Sequence, residues 1–322
     1  MRNIVFLLTL LVSGILYAQD AVAPKDTSWK TAGFLGITAS QTSLRHWQGG
    51  GQNNISVTGI LNVEAVYKKG KSTWLNKLDG QYGLINQGSV KAFNKAGLKR
   101  FRKNNDQIFA MSKYNIDAWS KYWFYTAVAD FRSQFSPGYT YVNDTISGKA
   151  NSDLTSPAYI QLALGLDYKP TNYFSITMAP LAGKITHVNR QYLADAGAFG
   201  VLPAVYDETT GAIITKGKRT RFEFGGRVTL KFKKDIVKNV NWDSYLDLFS
   251  NYAKNPQNID MVFNNLITIK VHKLFTVNII SQMIYDDDII VKEDTDEDGN
   301  FEINGPRLQA LTTIAIGFGY KF

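Results

Sequence analysis

The last sixteen residues of the sequence, 307–322, alternate apolar side chains with small or polar ones. The apolar positions are Ile314, Ile316, Phe318, Tyr320 and Phe322, and the positions between them are Thr313, Ala315, Gly317, Gly319 and Lys321. Successive side chains of a strand point to opposite faces, so this strand has one apolar face and one wettable face. A transmembrane barrel needs both faces, because one meets lipid and the other lines the lumen.

Twelve segments of the chain alternate in this way, and we predict a strand in each. They span residues 31–43, 53–68, 72–85, 106–118, 122–135, 158–169, 173–185, 221–233, 240–252, 258–271, 274–286 and 307–322. Short turns alternate with longer polar loops, which is typical of barrels with periplasmic turns and extracellular loops. The sequence therefore predicts an all-β fold, a single antiparallel transmembrane β-barrel of about 12 strands over residues 31–322.

The composition fits many strands. The mean hydropathy is slightly negative, at −0.18, because barrel strands carry apolar residues only at alternate positions. Tyr, Phe and Gly are abundant, with 17, 19 and 26 residues against only 8 Pro, which favours strands over helices. The chain contains no Cys, which excludes disulfides and thiol chemistry.

The N-terminus is typical of a secretory signal peptide. Arg2 precedes the apolar run 4–16, and small Ala18 ends the segment, so we expect cleavage after residue 18. The run is too short to span a bilayer as a helix, although a retained anchor is the alternative. Residues 19–30 would then form a short periplasmic segment before the barrel.

The charge of the chain is modestly basic. Loss of Arg2 with the signal peptide lowers the net charge from +9 to +8, and the excess is spread along the chain. This distribution suits anionic membrane lipid or surface polysaccharide and argues against nucleic acid, since no basic stripe with interleaved aromatics is present.

Aromatic residues concentrate beside the predicted short turns and the C-terminus. They are Tyr67, Trp74, Trp119, Trp123, Tyr168, Phe232, Trp242 and Tyr320. Such clustering at one level predicts a girdle among the lipid headgroups of the periplasmic side.

Several motifs resemble those of an uncharacterised outer-membrane β-barrel family of Bacteroidota, a domain of unknown function. They lie at residues 41–47, 49–53, 133–139, 193–200, 247–252, 255–260, 285–288 and 305–309, so the resemblance covers nearly the whole mature chain. It implies a barrel in the outer membrane and carries no known activity. The terminal Phe322 also resembles the aromatic residue that the barrel-assembly machinery reads, so that machinery is an expected partner.

Charged residues on the predicted inward faces are candidates for lining the lumen. They are Glu64, Lys77, Asp79, Lys113, Asp117, Asp130, Arg132, Asp167, Glu223, Arg227, Lys231, Asp243, Asp247 and Lys270. Both signs are interspersed, which favours a structural ion network over a selectivity filter with one dominant sign. A twelve-stranded barrel could hold a narrow channel or a plugged lumen.

The longest loop, 186–220, contains the comparatively apolar stretch 193–205. We predict that it folds inward or over the mouth as a plug or lid, and an ordinary loop packed on its neighbours is the alternative. The expected gating residues are Leu193, Asp195, Gly197, Phe199 and Gly200.

The acidic loop near the C-terminus resembles half of a calcium site. Asp294, Asp296 and Asp298 precede Gly299 as in a calcium loop, but Gly305 stands where a closing glutamate is required. A solvated loop tip is therefore favoured over Ca²⁺, and no other cofactor is expected. For the acidic run 286–288 we expect Arg307 as a partner.

Catalysis has weak support. Ser43 and His46 lie together and His187 begins a loop, but no hydrolase motif accompanies them, so we do not expect an enzyme. The leading prediction is a narrow or gated channel or transporter, or a solute-binding barrel. The alternatives are a structural barrel that binds an envelope protein or polysaccharide, and a surface lipid hydrolase.

Overall fold

The computed structural model describes residues 28–42, 54–87, 101–142, 145–272, 275–293 and 303–322. Twelve long strands form a closed antiparallel barrel. They are β1 (Trp29–Thr42), β2 (Asn54–Lys69), β3 (Ser72–Gln87), β4 (Arg102–Asp117), β5 (Trp123–Ser133), β8 (Ala158–Tyr168), β9 (Phe174–His187), β12 (Thr220–Val237), β13 (Val240–Asn251), β14 (Ile259–Lys270), β15 (Phe275–Tyr285) and β18 (Gln309–Lys321).

Smaller elements decorate the connections. They are the hairpins β6 (Gly138–Val142) with β7 (Thr145–Ser152), β10 (Val205–Tyr206) with β11 (Ile213–Thr215), and β16 (Val291–Glu293) with β17 (Ile303–Gly305), the helix α1 (Gln191–Asp195) and a 3₁₀ turn (Ala198–Gly200). In the described part of the chain, no helix has the length and apolar character needed to cross a membrane.

The barrel closes between its first and last strands. β1 pairs with β18 from Phe34 opposite Lys321 to Ala39 opposite Ile316, while its other edge pairs with β2. Closure leaves no unpaired sheet edge, which a wall in hydrocarbon requires. The prediction of twelve antiparallel strands is confirmed, and the strand bounds differ from the predicted ones by no more than four residues.

The two ends of the barrel differ. One end, here called the short-turn end, carries the tight connections such as Lys69 to Ser72 and Val237 to Val240, together with the start of β1 and the end of β18. The other, the loop end, carries the long connections that contain the short hairpins and α1.

The wall has an exposed apolar face and a buried inner face. On β8, Leu162 and Leu164 are more than half exposed, whereas Ala163 and Asp167 are buried. β18 repeats the pattern, with Ile316 exposed and Ala315 buried. Apolar residues that face outward on every side of a closed sheet are the pattern of a barrel wall in lipid.

Aromatic rings gather at the short-turn end, as the sequence predicts. Trp29 contacts both Tyr67 and Trp74, with ring centroids 5.1 and 5.8 Å apart. Trp123 lies 4.8 Å from Tyr168. Amphipathic rings at one level of a barrel favour the headgroup region of a bilayer.

One irregularity interrupts the wall at β9. The register of β9 shifts against β8 between Leu164 and Leu166, and against β12 between Gly225 and Arg227, on both sides of Pro180. Proline has no amide hydrogen for the ladder, and a bulge accommodates it. The bulge changes which positions of β9 face inward, so Thr177 and Lys184 are both buried although their numbers differ in parity.

Candidate functional site in the lumen

Nine of the fourteen predicted lumen residues lie in three charged layers or at the short-turn end. The others are Glu64, Lys77, Asp79, Lys231 and Asp243 on β2, β3, β12 and β13, where Lys77 pairs with Asp79 at 2.6 Å. Strand register places all fourteen on the inward faces of their strands, because directly opposed residues share a face. Asp117 and Lys270 are exposed, since they lie where β4 and β14 end at the short-turn end.

The central layer is built around Arg227 of β12. Its Nε lies 2.7 Å from Asp247 Oδ1, and its Nη1 lies 2.5 Å from Asp130 Oδ2. Arg132 of β5 also reaches Asp247 of β13, at 3.3 Å. β5 and β13 are four strands apart in the ring, so these bonds cross the lumen. Arg227, Asp130 and Asp247 are each about 4% exposed, so water is excluded from these three residues, while the Arg132 side chain is 18% exposed.

A second layer lies nearer the short-turn end and centres on Asp167 of β8, which is fully buried. Lys113 of β4 donates to Asp167 Oδ1 at 2.8 Å, and Lys169 lies 3.0 Å from the other carboxylate oxygen. Thr177 and Asn115 also donate to this carboxylate. Several donors around one buried carboxylate offset the cost of removing it from water.

The third layer lies at the loop end and contains residues that the sequence did not single out. Lys184 of β9 lies 2.6 Å from Asp260 Oδ2 and 3.1 Å from Asp286 Oδ2. Arg221 pairs with Glu223 at 3.0 Å and with Asp288 at 2.6 Å. Strict alternation along β9 does not predict that Lys184 faces inward, because the bulge at Pro180 shifts the inward positions by one residue.

The expected pairing of Arg307 with the acidic run is wrong. Asp286 pairs with Lys184, and Asp288 pairs with Arg221 and with Lys254. Arg307 instead donates to the carbonyl oxygen of Pro306. Partial burial raises the pKa of the Asp288 carboxyl. The hydrogen bond from Lys254 and the charge of Arg221 outweigh this effect and hold that pKa below its usual value.

The opposite side of the lumen, here called the polar face, differs in chemistry. Strands β1, β2, β15 and β18 present many hydroxyl, amide and small side chains inward, namely Thr38, Ser56, Thr58, Asn62, Thr276, Asn278, Gln282, Ala315 and Gly317. The same faces also carry the apolar side chains of Phe34, Ile60, Ile280, Ile284 and Leu311, and the carboxylate of Glu64. On β2 and β15 these polar side chains are half-buried rather than buried, as at Thr58 and Gln282. Solvent therefore reaches this side of the lumen, in contrast with Arg227, Asp130 and Asp247 of the central layer.

The segment 188–219 folds as a small unit, here called the cap. Val188, Leu193, Ala194 and Val201 are buried together as its apolar centre. Tyr192 Oη donates to the carbonyl oxygen of Ala150, which ties the cap to the β6–β7 hairpin. The predicted lid thus has a core of its own.

The backbone of the cap turns sharply above the lumen. Gly197, Phe199 and Gly200 all have positive φ angles, of 69°, 58° and 77°. A side chain added at Gly200 would contact Arg221 and Asp288, both in the loop-end layer. The predicted gating residue Gly200 therefore lies where the cap meets the mouth of the barrel, while Gly197 contacts Val201 and Pro203 and Phe199 packs against the apolar centre of the cap.

Asp195 holds the two ends of the cap together. Its Oδ1 accepts hydrogen bonds from Gln191 Nε2 at 2.7 Å and from the Gly217 amide at 2.8 Å. These hydrogen bonds lower the pKa of the Asp195 carboxyl below its usual value. The predicted gating residue Asp195 thus closes the cap, while Leu193 lies in its centre.

Several predicted positions lie outside the described residues. They are the signal peptide 1–18, Ser43, His46 and the calcium candidates Asp294, Asp296 and Asp298. Across the part of the chain that is described, no group of three or more His, Cys, Asp or Glu side chains could hold a metal ion. His187 is described, and its Nδ1 lies 2.9 Å from Thr220 Oγ1.

The strand order and the two faces of the wall define the class of this protein, a twelve-stranded transmembrane β-barrel. A family model described as a protein of unknown function (DUF3078) matches residues 39–139. No curated protein sequence matches the chain.

Solved structures with a similar arrangement include three barrels. The translocator domain of the autotransporter NalP from Neisseria meningitidis is 10% identical, with a TM-score of 0.38, over 100% of this chain and 98% of that one. The TodX monoaromatic hydrocarbon channel deltaS2 mutant is 9% identical, with a TM-score of 0.33, over 91% and 89%. The toluene transporter TbuX of Ralstonia pickettii is 7% identical, with a TM-score of 0.30, over 92% and 90%.

Proposed function

We propose that the protein lies in the bacterial outer membrane, with its short-turn end in the periplasm, and is a narrow channel for small neutral hydrophilic solutes. The path runs along the polar face of the lumen. In this proposal residues 1–18 direct export, and the strand that ends at Phe322 is read by the barrel-assembly machinery.

The contrast between the two sides of the lumen carries the proposal. Arg227 bonds to both Asp130 and Asp247, and all three residues are almost fully buried, so no solute passes through them. The side chains of Thr58 and Asn278 are half-buried, so water has access there. A barrel with one half filled by ion pairs leaves a channel narrower than its strand number allows.

The chemistry of the polar face favours neutral solutes. Hydroxyl and amide groups donate and accept hydrogen bonds without charge, as Gln282 does to Asn264 at 3.0 Å. In the central layer two arginines pair with two aspartates, so the layer carries no net charge and attracts neither cations nor anions. A narrow path lined mainly by uncharged groups disfavours ions, which must shed water to pass.

The cap supplies a gate. Gly200 lies against Arg221 and Asp288, so the cap meets the mouth of the lumen at the loop end. The cap is anchored to the hairpin β6–β7 by Tyr192 and to the β7–β8 connection by the Asn189 amide, which donates to the carbonyl oxygen of Thr155. Its displacement would open the mouth without unfolding the barrel.

Swelling of proteoliposomes in a neutral sugar tests the channel. Thr58→Trp places a large ring on the polar face and should abolish swelling. Val57→Trp is the matched control, because Val57 is 40% exposed on the outward face, and it should leave swelling unchanged.

The proposal fails if the wild-type protein and a variant lacking residues 198–212 are both impermeable to the sugar. It also fails if Thr58→Trp and Val57→Trp behave alike. Faster passage of a salt than of a neutral solute of the same size would overturn the assigned solute class.

A structural barrel that binds an envelope protein or polysaccharide is the second candidate, and the central layer favours it. Bonds between β5 and β13 brace the wall from within, as a scaffold requires. This candidate predicts no swelling for any variant, together with stoichiometric capture of one envelope component that is lost when residues 195–200 are replaced.

A further inference from the structure

The β10–β11 hairpin of the cap exposes apolar side chains on all sides. Its two strands pair only with each other. Val205, Tyr206, Ile213 and Ile214 are 45% to 64% exposed, and Leu202 just before the hairpin is 60% exposed. A two-stranded hairpin is marginal in water, and a contiguous exposed apolar patch marks a docking site.

The hairpin is held at its base. The Ala204 amide donates to the carbonyl oxygen of Asp195, and the Lys218 amide donates to that of Leu202, both at 2.9 Å. The Gly217 amide bonds the Asp195 carboxylate. Its exposed side chains are therefore presented from a fixed support.

Basic residues surround this base. Lys216, Lys218 and Arg219 are all exposed, and within the described residues Lys216 and Lys218 form no salt bridge. The Asp195 carboxylate, which accepts hydrogen bonds from Gln191 and Gly217, lies near Lys216 and Arg219 and offsets part of their positive charge. Three basic side chains against this one carboxylate leave the rim of the base with a net positive charge.

The level of the base relative to the membrane follows from β12. Phe222, three residues after Arg219, is 75% exposed on the outward apolar face. A strand rises about 3.3 Å per residue and barrel strands tilt by about 35 to 45°, so Arg219 lies roughly 7 to 8 Å beyond Phe222 along the membrane normal. The headgroup region adds about 5 to 8 Å on each side of the hydrocarbon, so the basic residues lie near its outer boundary.

We propose that the β10–β11 hairpin is a membrane-surface anchor, which lays its apolar side chains among the headgroups of the leaflet at the loop end while Lys216 and Lys218 bind the phosphates of anionic lipid. Aromatic and aliphatic side chains flanked by lysines are the combination that binds anionic interfaces. The proposal is independent of whether the lumen conducts.

The tip of the hairpin remains in water. Asp207 and Glu208 are acidic, and Asp207 Oδ1 accepts from the amides of Thr209 and Thr210, at 3.0 and 2.7 Å. A closed acidic turn is repelled by anionic lipid. The tip therefore provides a control position within the same hairpin.

A single fluorescent label tests the anchor, since the chain has no native cysteine to compete. Ile214→Cys carries an environment-sensitive dye, and Thr210→Cys at the tip is the matched control. Both are placed in vesicles with lipopolysaccharide in the leaflet at the loop end, and in vesicles of phosphatidylcholine alone. An aqueous quencher then measures exposure of the dye.

We expect the dye at position 214 to have a several-fold lower quenching constant than the dye at 210 in anionic vesicles, with a blue-shifted emission. Lys216→Gln with Lys218→Gln should remove most of that protection. Equal quenching at both positions, or protection that the two substitutions leave unchanged, overturns the proposal. Protection of position 214 in native outer-membrane fragments but not in lipid vesicles would assign the hairpin to a protein partner and also overturn it.

Discussion

At the scale of single residues, the lumen is held by charges that satisfy one another. Arg227 donates to two aspartates from different strands and to Tyr245 Oη. In a buried network of this kind each partner depends on the others, because removal of one leaves an unpaired charge away from water. The loss of folding stability on removal of a lumen charge should therefore increase with the burial of that charge.

The substitution Arg227→Met tests this weight. It leaves Asp130 and Asp247 buried without their main partner, and we expect a loss of about 3 to 5 kcal/mol in the free energy of unfolding. Lys233→Met is the matched control, since the Lys233 side chain is 56% exposed in its 3.2 Å pair with Asp243. An exposed pair contributes about 1 kcal/mol or less. Denaturant unfolding in lipid vesicles measures both, and equal losses would contradict the buried network.

The sequence predicted the central layer in part. Alternation placed Asp130, Arg227 and Asp247 on one side of their strands, and the ring order then brought them together across the lumen. Sequence spacing could not supply that pairing, because β5 and β13 are distant in the chain. Lys184 was missed for a local reason, the shift of register at Pro180.

At the scale of elements, the bulge in β9 depends on a glycine in the neighbouring strand β8. A Cβ atom at Gly165 would lie 2.0 Å from the carbonyl oxygen of Met178. Backbone atoms cannot move aside as flexible side chains can. Gly165 therefore allows β8 to approach the bulged part of β9 closely.

Gly165→Ala should consequently destabilise the barrel by about 1 to 3 kcal/mol, the usual cost of overpacking. Gly183→Ala is the control within the same sheet, because its nearest atom would be 3.9 Å away, and it should cost nothing measurable. The midpoint of denaturant unfolding for the two variants decides the matter. A Gly165 variant as stable as the Gly183 variant would refute the close approach.

The cap is an element whose closure depends on one carboxylate. Its hydrogen bonds lower the pKa of Asp195 relative to the unfolded chain, so the stabilisation is present above the usual carboxyl pKa of about 3.9 and is lost as pH falls through the lower folded value. We expect protease cleavage within 188–219 to be slow at neutral pH and to rise below about pH 4.

Asp195→Ala should be cleaved quickly at both pH values, because the Gly217 amide and Gln191 lose their shared acceptor. Glu208→Ala, an exposed change at the hairpin tip, should match the wild type. Cleavage of Asp195→Ala at the wild-type rate would show that the carboxylate does not close the cap.

The apolar composition of 193–205 predicted that this loop would fold, but not how. α1 has only five residues, and strands β10 and β11 have two and three. Elements this short show no hydrophobic periodicity that could be recognised in the sequence. The cap is defined by contacts of Asp195 and Tyr192 with distant residues. Such tertiary contacts leave no pattern in the local sequence.

At the scale of the whole molecule, strand alternation determined the architecture because it repeats in every wall element. A slip of one residue would turn an entire strand inside out, so the pattern constrains register as well as strand number. The final strand illustrates this, since Ile314 and Phe318 are exposed while Ala315 is buried in the closed barrel. The loop structure and the ion pairs in the lumen depend on contacts between residues that are distant in the chain, so alternation alone could not predict them.

The most direct test of the account is cysteine accessibility along β2, which faces the polar side of the lumen. The outward positions are Ile55, Val57 and Leu61, and the inward positions are Ser56, Thr58 and Asn62. Single cysteines are introduced into the cysteine-free chain, reconstituted in vesicles, and treated with a small water-soluble maleimide.

The account predicts labelling at the inward positions only, with the outward positions labelled only by a lipid-soluble reagent. Equal labelling by the water-soluble reagent on both faces, or labelling of the outward face alone, would contradict a lipid-facing wall around a water-accessible lumen.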